Sequence, residues 1–239
     1  MTRPWYVRDP AAFDKDRGEV EDAYPDLTFT HRGSDVVLRG HYSLHEAGWV
    51  LDQYLVEVEP DRAVRGGLPV VREIGGRIPQ SEDRHVSHDG TACIALPDAF
   101  WFQYPKGLSL KEFLDGPMRG YFAVQSLISR GVSDAWEQGE WDHGEAGVLR
   151  FYQERFGNES PFVILRFLRL VATKAVRGHA PCPCGSGLRL RKCHGPVILD
   201  LRSRIPRCVA ARSEERLSAV LREVGSQRPV RSYSKSIGR

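Results

Sequence analysis

Four residues toward the C-terminal end have the types and the spacing to hold a metal ion. Cys182-Pro183-Cys184-Gly185-Ser186-Gly187 is followed by Arg191-Lys192-Cys193-His194-Gly195. Three thiolates and one imidazole make a closed tetrahedral set, the chemistry of a structural zinc with no position left for a substrate. Gly185 and Gly187 let the backbone turn sharply enough to bring both ligand pairs onto one ion. A segment this short has no core of its own, so metal binding would supply its folding energy. A different chemistry is offered by Cys93. It lies among small residues, with His85 and His88 upstream, in Arg84-His85-Val86-Ser87-His88-Asp89-Gly90-Thr91-Ala92-Cys93-Ile94-Ala95. Such a cysteine is either an activated thiol or a buried, inert one, and composition leaves both open. A third group is Asp142-His143, inside a Trp-rich stretch from Trp136 to Gly147. There Asp142 either caps a following helix or, with His143, offers a carboxylate and an imidazole able to move a proton. Cys208 has no partner at ligand spacing.

The elements that must position these groups follow from periodicity. Pro10 to Tyr24 reads as an amphipathic helix carrying Phe13, Val20 and Tyr24, stopped by Pro25. Leu27–His31, Val36–Leu44, Trp49–Glu59 and Pro69–Ile74 read as four strands with short links, which favours an antiparallel meander. Tyr54, Val56 and Val58 alternate with Leu55, Glu57 and Glu59, so the two sets face opposite ways. Gly75 to Lys106 reads as one long irregular loop. Ser109 and Glu112 then make a capping box ahead of Leu110, Phe113, Leu114, Met118, Tyr121, Phe122 and Ile128 on one helical face, with a kink or restart expected at Pro117. Further helices run from about Gly144 to Phe156 and from Ser160-Pro161 onward. The order predicts an α+β fold.

The net charge of +3 hides a division of the chain. Residues 1–177 carry 21 Lys and Arg against 27 Asp and Glu, whereas residues 178–239 carry 13 against 4. The domains expected are 1–177, a metal element at 178–197, and a basic tail at 198–239 with one short amphipathic helix through Leu217, Val220, Leu221 and Val224. The clustered, odd number of cysteines suits a reducing compartment better than a disulfide framework. With no secretory pattern near Met1 and no apolar run long enough to span a bilayer, the expectation is a cytoplasmic protein. The basic part could bind nucleic acid, but no reading helix is recognised there, and that reading ranks last.

Two resemblances sharpen these readings. The run Cys182 to Gly195 resembles the SEC-C motif, a short zinc element attached to many bacterial proteins, and the resemblance implies docking of partner proteins. The Cys93 loop resembles the active-site segment of ubiquitin-conjugating enzymes. Val86 stands for that family's isoleucine, Gly90 for its glycine, Cys93 for its catalytic cysteine and Ile94 for the following leucine. Element order over residues 10–130 agrees, most closely with bacterial relatives encoded beside a ubiquitin-like protein and its activating enzyme, in clusters linked to defence against phage. Asp83 and Arg84 replace the family's His-Pro, His85 replaces its oxyanion-stabilising asparagine, and Ala95 lacks the acidic group often found there. The resemblance implies a ubiquitin-conjugating-like fold and an acyltransferase. Cys93 would carry a ubiquitin-like modifier as a thioester, and His85 would act as oxyanion donor or as base. The partners implied are the modifier, its activating enzyme and protein targets. The alternative is the same fold without transfer activity, a binding module recruiting modifier or target through the zinc element.

Overall fold

The computed structural model describes residues 9–33, 35–60, 67–132 and 144–226. Trp136, Trp141, Asp142 and His143, and the end of the chain from residue 227, lie outside the described residues. No helix among those described is long and apolar enough to cross a membrane.

The first half is a sheet-and-helix layer. Helix α1, Pro10–Ala23, starts where the Asp9 carboxylate accepts a hydrogen bond from the Ala12 N–H at 3.1 Å, with Pro10 in the first turn. Strands β1 (Leu27–Arg32), β2 (Asp35–Glu46), β3 (Trp49–Glu59) and β4 (Val70–Glu73) form one antiparallel sheet in the order β1-β2-β3-β4. The expected meander is therefore present. Leu38, Tyr42 and Leu44 of β2 and Tyr54, Val56 and Val58 of β3 point into the first core. On the opposite face Glu57 and Glu59 pair with Arg32, at 2.5 and 2.7 Å, and Glu59 also pairs with Arg72. At Gly40 (φ +148) an added Cβ would lie 1.9 Å from the Asp26 carbonyl oxygen, so the chain entering β1 can cross β2 closely only at a glycine.

A helix lies over the sheet's inner face. Ser109 and Glu112 form the reciprocal capping box that opens α3 (Leu110–Phe113). The next turn, Leu114–Met118, widens to a π-helix around Pro117 before α4 (Arg119–Ser129) resumes. Proline has no N–H for the i→i−4 bond, and a wider turn absorbs the mismatch without ending the helix. Leu114, Met118 and Phe122 are fully buried, and the Tyr42 hydroxyl donates to the Leu114 carbonyl at 2.7 Å.

The second half forms its own core. Helices α5 (Gly144–Phe156), α6 (Pro161–Ala172), α7 (Gly195–Arg204) and α8 (Arg207–Ser226) bury Phe151, Phe156, Phe167, Ile198, Leu201 and Leu217 together. Two helices, of 10 and 20 residues, thus stand where one short helix was expected. The arginines that suggested a tail are exposed or half-buried along both helices, while Ile198, Leu201, Val209 and Leu217 are buried. Leu221 is partly buried in the same core, and Val220 is exposed.

Between the cores runs a helix that the sequence reading treated as loop. Helix α2, Pro97–Gln103, begins at Pro97 after an extended Leu96. Its seven residues are too few to display a period, although Pro97 at the first turn was a start signal. Phe100 packs into the first core, Ala99 and Phe102 against the second, and Trp101 against both. Asp98, only 1% exposed, accepts hydrogen bonds from the Tyr152 hydroxyl of α5 and the Ser213 hydroxyl of α8, each at 2.6 Å.

Burial pushes the Asp98 carboxyl above its ordinary value, against the opposing pull of Ser213, Tyr152 and Arg216. A carboxyl whose folded pKa is raised contributes stability that is complete below the ordinary value of about 4 and is lost as pH rises through the folded value. The difference in denaturant midpoint between wild type and Asp98→Asn should therefore be largest in acid and shrink on raising the pH from about 4. A pH-independent difference contradicts this.

Candidate functional site

Cys93 is placed by a small hairpin hung on the sheet's edge. Val86 and Ala92 form an antiparallel bridge, and the Ser87 N–H donates to the Thr91 carbonyl at 2.9 Å. Gly90 turns at φ +78, and Asp89 closes the loop by accepting from the Thr91 N–H at 3.0 Å. That bond holds the Asp89 carboxyl below its usual range. Thr91 bridges Arg72, and the Ala92 N–H donates to the Val71 carbonyl, so β4 carries the hairpin. Cys93 emerges exposed, its Sγ 3.6 Å from the Ser87 hydroxyl.

His85 is brought to the same place through the backbone. The Cys93 N–H donates to the His85 carbonyl at 2.7 Å, and His85 adopts the left-handed conformation (φ +52). A non-glycine residue there needs support from its surroundings. The support is the Arg84 peptide: its carbonyl accepts from Gln125 Nε2 at 2.7 Å and from the Tyr121 hydroxyl at 3.1 Å, while Arg84 Nε donates to Gln125 Oε1 at 2.7 Å. Gln125 is fully buried. Cys93, His85, Ser87 and His88 line one groove of about 1160 Å³, which Arg212 and Arg216 of α8 also line. The exposed Cys93 sulfur thus opens onto this groove. Asp142 and His143, candidates for a helix cap or for proton transfer, lie outside the described residues. Ser87, Arg84 and Gln125 were missed: Ser87 could be found only from the hairpin register, and Gln125 reads in sequence as one more polar helix residue.

The other cluster forms a tight tetrad. Cys182 Sγ lies 3.3 Å from His194 Nδ1, Cys193 Sγ 3.2 Å from the same nitrogen, and Cys184 Sγ 3.5 Å from Cys193 Sγ. A tetrahedral ion with metal–sulfur bonds of about 2.3 Å needs ligand atoms separated by roughly 3.5–3.8 Å, so the four residues fit a metal. Gly185 (φ +82) and Gly187 (φ +74) supply the turns between the ligand pairs. The Cys184 thiol is brought down to about 6, first by the Ser186 side chain and then by its backbone N–H, whereas burial pushes the Cys182 thiol up. A buried thiol of that kind becomes a thiolate readily only against a cation.

Residues 180–196 match the SEC-C motif. No curated protein and no solved structure matches the chain. The motif is associated with zinc, and its Cys/His cluster is the set described above.

The SEC-C element is not a separate bead. His194 Nε2 lies 3.0 Å from the carbonyl oxygen of Phe156, the last residue of α5, a partner that leaves Nδ1 as the ligand nitrogen. The His194 ring packs 4.7 Å from that of Phe167. Cys182 and Leu190 are buried in the second core. Gly195 opens α7 against the Leu190 carbonyl, where a Cβ would come within 2.8 Å. Arg202 of α7 donates to the carbonyls of Leu170, Val171 and Thr173, capping α6. The ion would thus brace α5, α6 and α7 as well as its own loop.

Two outcomes follow. Removing the metal with a chelator, or Cys193→Ser, should lower the melting temperature by more than about 10 °C and reduce helical ellipticity, given the energy of structural metal sites. A melting curve insensitive to chelator would contradict the bracing role. Gln125→Leu leaves the Arg84 carbonyl and guanidinium short of partners and should cost about 1–3 kcal/mol in urea unfolding.

Proposed function

We propose that this protein is a conjugating acyltransferase. It carries a ubiquitin-like protein as a thioester on Cys93, passes it to an amine, and holds a structural zinc in its SEC-C element. The observation that carries the reading is the exposed Cys93 sulfur at the end of a sheet-borne hairpin, with its N–H tied to the His85 carbonyl. Further support comes from the order of elements, in which a meander precedes the cysteine and a capped amphipathic helix follows it. The resemblance of residues 85–94 to the ubiquitin-conjugating segment agrees with both.

In the first step the Cys93 thiolate attacks the modifier's C-terminal carbonyl, activated as a thioester on the activating enzyme. The new C–S bond forms to Cys93, and the activating enzyme's sulfur leaves as a thiolate. In the second step an acceptor amine attacks, the C–N bond forms, and the C–S bond to Cys93 breaks. The amine's proton goes to a base and Cys93 returns to thiolate. The tetrahedral oxyanion of that step needs a donor placed in advance. His85, in neutral form, can donate a ring N–H to that oxygen or take the amine's proton. A cytoplasmic setting, where thiols stay reduced, suits both the nucleophile and the metal ligands. Phage defence is the role that the resemblance suggests.

Incubated with its activating enzyme, modifier and ATP, the protein should form an adduct that is released by reducing thiol and absent from Cys93→Ser. His85→Ala should slow discharge to an amine by about 10²–10³-fold, the usual effect of one lost donor, and slow charging far less. No Cys93-dependent adduct would overturn the proposal, and equal loss in both steps would make His85 a folding residue.

A further inference from the structure

The hairpin that carries Cys93 has two faces. Val86 and Ala92 pair across it and are buried in the first core. Ser87 and Cys93 each follow one member of that pair, so strand alternation turns both toward the groove. Backbone bonds hold their register. The Cys93 N–H donates to the His85 carbonyl at 2.7 Å, the Ser87 N–H to the Thr91 carbonyl at 2.9 Å, and the Gly90 N–H to the Ser87 carbonyl at 2.8 Å. The Ser87 hydroxyl oxygen is thereby set 3.6 Å from Cys93 Sγ. Thr91 also lines the groove, but its side chain bonds the Asp89 carboxylate.

A hydroxyl and a thiol can each donate to the other, but a thiolate has no proton. With Cys93 ionised, the Ser87 hydroxyl is therefore the donor. Acylation changes that. An acylated sulfur is a weak acceptor, and the acyl oxygen lies only two bonds away from it. Rotation about the Ser87 Cα–Cβ bond can turn the hydroxyl from the sulfur to that oxygen. Negative charge develops there when a nucleophile adds to the carbonyl carbon, and a donor already in place lowers the barrier. The proton stays on the serine oxygen throughout, so this contact needs no base.

We propose that Ser87 is a catalytic residue, donating its hydroxyl hydrogen bond to the oxyanion formed during acyl transfer at Cys93. This deepens the reading of Cys93 as the acyl carrier and rests on it. The hairpin that presents the nucleophile then also presents a group that stabilises the tetrahedral intermediate.

A synthetic acyl donor tests this without the conjugation machinery. The metal-loaded Cys208→Ser protein, which lacks the other exposed thiol, is treated with the mercaptoethanesulfonate thioester of acetyl-Gly-Gly. The new C–S bond forms to Cys93, mercaptoethanesulfonate leaves as a thiolate, and mass spectrometry follows the adduct. Excess donor is then removed, ethanolamine is added, and loss of the adduct is timed. Ser87→Ala in this background should slow acylation and discharge about 10²-fold, and Ser87→Thr, which keeps the hydroxyl, should restore most of the rate. Alkylation of Cys93 by iodoacetamide forms no oxyanion, so Ser87→Ala should slow it far less. Acyl transfer and alkylation slowed alike would make Ser87 a prop for the sulfur and overturn the proposal. Unaltered acyl transfer in Ser87→Ala would overturn it too, and in both cases the adduct on unaltered Ser87 leaves Cys93 as the acyl carrier. A Cys93 that is alkylated but never acylated would remove the transfer reading, and the donor with it.

Discussion

The architecture depends on a buried carboxylate that holds two cores together. Asp98 is almost wholly shielded from solvent, and each of its oxygens accepts from a hydroxyl of a different helix. A buried charge or acid of this kind is tolerated only when its partners are fixed, so its bonds dictate the register of α2 against α5 and α8. Trp101, packed against both cores, adds apolar contact at the same seam. The seam begins directly after Cys93, and any shift of the helical half would be felt at the groove.

The metal cluster acts on the same half from its far side. Three features link it to the helices: the His194 ring on the Phe156 carbonyl, Cys182 within the apolar core, and α7 starting at Gly195. Zinc elements in isolation are often two-state, folded only with metal. Here the element is built into a helical core, so metal binding and helix packing support one another. The element is thereby packed into the same helical half whose last helix lines the Cys93 groove.

Much of this was legible in the sequence. The four ligands were readable from spacing because short-range geometry determines whether two pairs of side chains can meet on one ion. The strands were readable because Tyr42 and Leu44 of β2 and Tyr54, Val56 and Val58 of β3 recur at every second residue on the core side, though Val37 and Glu57 are buried as well, and Ser109 with Glu112 announced α3. Helix α2 was hidden, since a seven-residue helix buried on two sides shows no amphipathic period. The helices after Gly195 were taken for a tail because their many arginines dominate the composition, while Ile198, Leu201, Val209 and Leu217 are spaced widely between them. The groove's arginines and the Arg84–Gln125 bonds depend on contacts across 41 to more than 100 residues, and no local pattern reports those.

Hydrogen–deuterium exchange on the metal-loaded protein, wild type against Asp98→Ala, tests the union of the two cores most directly. The account predicts faster exchange in α2, in the Cys93 hairpin and along α8 together, with the central strands β2 and β3 unchanged. Protection lost in α2 alone, with α8 and the hairpin as protected as before, would contradict it.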